Sequence, residues 1–237
     1  MKKLIYYIPH AATLTGLAFA ALALMALIDN RYDASARFCL LVLLVDRIDG
    51  TMARQMKVRK KLPGISGEVL DIITDLVGLT FVPMILFWKT GLFVDALAPW
   101  LVCGAVVTAS WKYARKETFL GKGYSLGAPP VFFSLFIFYF LELPPWYPTI
   151  YAVGLIALGW SAIRFPITCL VTTHWQPGYK SIINWLTAIF FIPVFMLLND
   201  APAVIYWIML AAMLIQLTVY PWLLHLGIIK PVFDRKY

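Results

Sequence analysis

The sequence predicts an all-α integral membrane protein, a bundle of about eight transmembrane helices, and three observations predict it. Apolar residues make up 62% of the 237-residue chain and charged residues only 14%, against about a quarter charged in soluble domains. The apolar residues gather in windows long enough to cross a bilayer, separated by turn-forming clusters. Basic residues fall on alternate connections between those windows, the pattern that sets orientation in a membrane.

The windows follow in order. The first, 8–28, comes after Lys2 and Lys3 and contains Ala18-Phe19-Ala20, a look-alike of a signal-peptide cleavage site. It is long enough to span, and further spans follow, so a retained transmembrane helix is expected. The second and third, 35–54 and 67–88, flank a loop with a turn at Leu62-Pro63-Gly64. The fourth, 93–112, follows Lys89-Thr90-Gly91; the fifth, 126–141, is short, and Pro129-Pro130 is expected to set its start or a kink. Leu143-Pro144-Pro145 precedes the sixth, 149–170, and Gln176-Pro177-Gly178 the seventh, 182–198. Asn199-Asp200-Ala201-Pro202 precedes the eighth, 203–226. No linker or internal repeat interrupts the series, so residues 1–237 read as a single polytopic domain.

Sixteen of the twenty Lys and Arg lie on one side of this layout, Arg31, Arg37 and Lys89 on the other, and Arg47 within the second span. Both termini are therefore expected in the cytoplasm. The net charge of +8 reads as attraction to anionic lipid, with no nucleic-acid partner implied. Cys39, Cys103 and Cys169 sit inside apolar runs and read as buried packing residues without disulfides.

The chemistry concentrates between Asp46 and Asp75. Asp46, Asp49 and Ala53 are spaced i, i+3, i+7, and Gly67, Asp71 and Asp75 are spaced i, i+4, i+8, so each set lies on one helix face. A short connection makes the two helices antiparallel neighbours and lets four carboxylates converge. Four such groups repel at neutral pH and need hard divalent cations, Mg²⁺ or Mn²⁺, to coexist. Gly50, Ala53 and Gly67 leave room for a bulky group to approach the backbone. Arg54 offers a donor fork suited to phosphate oxygens. Together these residues describe a metal-dependent nucleotide diphosphate site beside the Arg54–Lys61 loop, open to the cytoplasm. A cation-coupled transporter is the rival class, but it favours midplane sites in symmetric halves, and the second half of this chain has no counterpart cluster.

Other residues carry weaker signals. Glu68 is expected to be solvated, and the Lys57–Lys61 run to serve topology and lipid contact. His10 and His225 read as interfacial side chains without metal-ligand spacing, and His174 as a loop residue near Trp175 and Lys180.

The pattern Asp46-x2-Asp49-Gly50-x2-Ala53-Arg54…Gly67-x3-Asp71-x3-Asp75 resembles the signature of the CDP-alcohol phosphotransferase family. All eight positions are intact, which argues against an inactive scaffold. The twelve residues between Arg54 and Gly67, where most members have about eight, resemble the bacterial branch that uses choline, as do Leu44-Val45-Asp46 and Ser66-Gly67. The resemblance is detailed over residues 40–90. It implies transfer of a phosphatidyl group from CDP-diacylglycerol to an alcohol with release of CMP, in phospholipid synthesis at the bacterial inner membrane. It further implies Asp46, Asp49, Asp71 and Asp75 as metal ligands and Asp75 as general base. Donor contacts are implied at Asp49, Gly50, Ala53, Arg54 and Gly67, and the assembly as a homodimer.

Choline, a quaternary cation, is best held by aromatic faces, and Trp111, Tyr113, Tyr124, Trp160 and Trp175 are candidates for a cage. Lys112, Arg115, Lys116, Lys122, Arg164 and Lys180 would instead suit a phosphorylated acceptor such as inositol phosphate or glycerol phosphate; serine is a third option. The segment Phe119–Pro130 departs from the Phe-Gly-Phe-Pro-like turn of the choline-using branch, where the acceptor is expected to sit. The acceptor therefore stays open at this level.

Overall fold

The computed structural model describes residues 4–56, 64–115, 124–166 and 202–227. The chain divides after Thr90 into two compact units, and each is taken in turn.

In the first unit α1 (Ile8–Ile28) carries Pro9 in its first turn, where a missing N–H costs nothing. Its buried face is a run of small residues, among them Gly16, Ala20, Ala23 and Ala26, which lets neighbouring backbones come close. The helix ends with Asn30 in the left-handed region at φ 58°. The N–H of Asn30 reaches the carbonyl of Leu27 at 3.1 Å and that of Arg31 the carbonyl of Ala26 at 2.8 Å, so the last turn is closed off. Three residues later α2 (Tyr32–Gln55) runs back along α1.

The third helix, α3, spans Gly67–Lys89 and is not uniform. It is α-helical over Gly67–Thr74, widens to π geometry over Asp75–Phe81, and returns to α over Val82–Lys89. Pro83 removes the N–H that would close an α turn on the carbonyl of Leu79, a common cause of a local break in the ladder. Ser66 caps the start: its Oγ accepts from the N–H of Val69 at 3.3 Å.

Close contacts fix how the three helices register. A Cβ on Gly78 would stand 2.6 Å from Cγ1 of Val42 and 3.2 Å from Cβ of Ala20. A Cβ on Gly16 would stand 3.2 Å from Cγ2 of Thr74 and 3.4 Å from Cγ1 of Val45. Residue numbers on α1 and α3 fall together while those on α2 rise. So α1 and α3 are parallel and α2 is antiparallel to both, as the short loop predicted for α2 and α3.

The second unit contains α4 (Ala98–Ala114), α5 (Phe136–Leu141), α6 (Trp146–Gly159), α7 (Ala203–Leu217) and α8 (Val219–His225). It also contains a strand pair, β1 (Tyr124–Leu126) and β2 (Arg164–Pro166), antiparallel with Ser125 opposite Phe165. Among the described residues the structure is mostly helical, as expected, and this short pair is a local departure from it. Lys112 at the end of α4 is 1% exposed and donates to the carbonyls of Leu126 and Gly127. Gly127, at φ +75°, presses against the carbonyl of Gly159 with no space for a Cβ.

Several span boundaries move as well. The fifth begins as a tight turn at Phe132, not at residue 126, because Gly127 and Ala128 donate sideways to Ile163 and Leu158 and Pro129-Pro130 cannot donate. The sixth ends at Gly159, short of 170. The eighth breaks at Thr218, three residues before Pro221, which withdraws the N–H due to the carbonyl of Leu217. The seventh, 182–198, lies outside the described residues, as do Cys169, His174, Trp175 and the Lys57–Lys61 run. By length and composition, two helices are able to cross a membrane among the described residues, Ile5–Ile28 and Gly67–Lys89. Cys39 is buried as expected, whereas Cys103 is exposed; neither forms a disulfide.

Candidate active site

All four acids of the motif lie in the first unit. Asp46 and Asp49 come from the second half of α2, Asp71 from the α-helical start of α3, and Asp75 from the residue at which α3 widens. One carboxylate oxygen from each of Asp46, Asp49 and Asp71 falls within 4.8 Å of the others. Asp49 is 2% exposed; Asp46 and Asp71 are half-buried. Asp75 lies outside this trio, with its Oδ1 buried. Gly50 and Ala53 are half-buried on α2, and Arg54 belongs to its last turn. Glu68 is exposed, as expected for a solvated residue.

Electrostatics decides what the trio can be. Two ionised carboxylates 4.8 Å apart repel by roughly 3 kcal/mol at an effective dielectric of about 20. Three such pairs approach the whole stability of a typical domain, about 5–15 kcal/mol. Positive charge close to this volume is therefore needed for all three to stay ionised. The donors are hard oxygens with no sulfur and no imidazole in the trio, which fits Mg²⁺ or Mn²⁺ better than softer metals.

His10 corrects the reading of an interfacial side chain. It is 7% exposed, and its ring fills the space left by the missing side chain of Gly67. A Cβ there would lie 2.8 Å from Cε1 of His10. Thr13, one turn on, is buried and donates to the carbonyl of Pro9 at 3.0 Å. No spacing rule in the sequence ties either residue to the acids; their places follow from helix register.

In the second unit the cage candidates Trp111 and Trp160 stack on each other, with centroids 5.5 Å apart and planes 11° from parallel. Trp160 Nε1 donates to Thr108 Oγ1 at 2.9 Å. Both indoles remain about half exposed.

A family model described as CDP-alcohol phosphatidyltransferase matches residues 6–173, a span that contains the whole acid motif. A phosphatidylcholine synthase of Pseudomonas aeruginosa is 30% identical over 177 residues, covering 70% of this chain and 74% of that relative. One from Borreliella burgdorferi is 29% identical over 138 residues, 58% of each chain. One from Brucella melitensis is 36% identical over 135 residues, 54% of this chain and 48% of the relative. The chain thus spans about half to three quarters of the length of these relatives. With the two-helix motif intact and its acids converging, the chain belongs to the CDP-alcohol phosphatidyltransferase family.

Proposed function

We propose that this protein transfers the phosphatidyl group of CDP-diacylglycerol to choline, giving phosphatidylcholine and CMP. The observation that carries the reading is the convergence of Asp46, Asp49 and Asp71 within 4.8 Å on two antiparallel helices. The naming of all three relatives as phosphatidylcholine synthases supports choline as the acceptor.

In this reading Asp46, Asp49 and Asp71 hold divalent cations, Mg²⁺ or Mn²⁺, with Asp75 completing the set. Bound cations supply charge neutralisation on the diphosphate and on the departing CMP. Gly50, Ala53 and Gly67 bed the cytidine, and Arg54 binds phosphate oxygens. Asp75 takes the proton of the acceptor hydroxyl as its oxygen bonds to the lipid-side phosphorus and the bond from that phosphorus to the CMP oxygen breaks. A carboxylate is a weak base, so positioning and charge account for most of the acceleration. The protein works as a multi-pass homodimer in the bacterial inner membrane, with termini and site facing the cytoplasm.

The test is purified protein in detergent with CDP-diacylglycerol, Mn²⁺ or Mg²⁺, and choline, serine, inositol phosphate or glycerol phosphate in turn. CMP and lipid product with choline alone are expected. Product with a different alcohol would keep the chemistry and reassign the acceptor. No CMP with any acceptor, from folded and metal-binding protein, would contradict the transferase reading.

A further inference from the structure

Helix register places one more side chain beside the nucleotide. On α1, α2 and α3 the series Ala20–Val42–Gly78 and Gly16–Val45–Thr74 marks successive levels of the bundle. Continuing in the same direction, Asp49 lies four residues past Val45 and Asp71 three before Thr74, so both acids fall at the level of Thr13. A further turn brings Ala53 on α2 and Gly67 on α3 to one level. The α1 residue at that level is His10, and its contact with Gly67 confirms the register independently.

The imidazole at this level is incomplete. Its Nε2 is buried and has no hydrogen-bond partner among the described residues. A buried polar atom left unpaired costs about 1–3 kcal/mol, and native interiors rarely tolerate one without a reason. Leu or Phe would fill the same space against Gly67 without that cost. The neighbouring positions Ala53 and Gly67 are those that bed the cytidine under the function proposed above. A nucleotide lying there brings the polar atoms that a buried imidazole nitrogen requires.

We infer that His10 is a binding residue for the nucleotide half of the donor, hydrogen-bonding it through Nε2 when the site is filled. The inference rests on the proposed transferase function, and its test separates the two. CDP binding to the purified full-length protein is measured by calorimetry with Mn²⁺ present, for wild type, His10→Leu, His10→Phe and His10→Gln. Leu and Phe keep an apolar body against Gly67, whereas the Gln amide nitrogen reaches about where Nε2 stands.

The expected result is CDP affinity lowered about 10- to 100-fold in the Leu and Phe variants, the worth of one hydrogen bond to a charged or strongly polar group. The Gln variant stays within a few-fold of wild type. Mn²⁺ binding without nucleotide stays at the wild-type value, the nucleotide-free Leu and Phe variants melt no lower than wild type because the unpaired nitrogen is gone, and KM for CDP-diacylglycerol rises while that for choline does not. CDP binding within twofold of wild type in a folded apolar variant would overturn the inference. So would failure of both apolar variants to fold, because His10 would then be a packing residue. Absence of CDP binding by the wild type would overturn the transferase reading itself.

Discussion

Asp49→Asn is expected to lower CMP release by at least about 10²–10³-fold, the scale set by losing one preorganised electrostatic contact in a closed site. Asp49 is the most buried of the trio, 2% exposed, and shares its volume with Asp46 and Asp71. The amide keeps the shape and removes the charge, so the loss reports the charge. The same change has an opposite effect on the metal-free protein. With cations chelated, the three carboxylates repel one another, and Asp49→Asn relieves two of the three pairs. The metal-free variant should therefore melt above metal-free wild type, by about 2–4 °C per kcal/mol relieved. Mn²⁺ titration followed by thermal melts reads both effects together. A variant that turns over normally, or that melts lower than wild type without metal, would contradict the assignment. Asp75→Asn should behave differently: it lies outside the trio, so it should still bind Mn²⁺ while losing about 10²–10⁴-fold in turnover, the range for a general base.

Gly78→Ala should destabilise the first unit by about 1–3 kcal/mol, the usual penalty for an extra carbon in a filled core. The new Cβ would stand 2.6 Å from Cγ1 of Val42 and 3.2 Å from Cβ of Ala20. Val42 is fully buried and β-branched, so on a helix it has essentially one rotamer and cannot swing away. Ala20 has no side chain beyond the clashing atom. Relief must come from moving α3 away from α1 and α2, which also displaces Asp71 two turns along. A thermal melt of Gly78→Ala, Val42→Ala and the double variant tests this. The double variant should be more stable than the sum of the two single losses predicts, since truncating Val42 opens the space the new methyl needs. Strict additivity would place the strain elsewhere.

The acid pair of helices was legible in the sequence because the spacing that puts Asp46 and Asp49, or Asp71 and Asp75, on one face depends only on helix geometry. The window 8–28 likewise coincides with α1, bounded by Pro9 at one end and Asp29-Asn30 at the other. The separation of Asp75 from the trio was not legible. It begins a stretch in π geometry, and the choice between α and π hydrogen bonding depends on packing around Gly78 and Pro83 rather than on any periodicity. The place of His10 is hidden in the sequence for a related reason. Hydropathy places a histidine near the end of a span at the interface, but cannot say whether it faces lipid or a glycine on the next helix. The β1–β2 pair escaped because three-residue strands are too short to show alternation, and because Lys112, which reads as a cytoplasmic charge, is buried as the donor to the carbonyls of Leu126 and Gly127.

Under the proposed function the acids of α2 and α3 form a metal-dependent phosphatidyl-transfer site. The most direct measurement is CMP release from CDP-diacylglycerol and choline by the purified protein, before chelation, after it, and after adding Mn²⁺ or Mg²⁺ back. The expected result is turnover that vanishes with chelator, returns with either cation, and does not return in Asp49→Asn. Undiminished CMP release in thoroughly chelated protein, or full recovery of that variant, would contradict it.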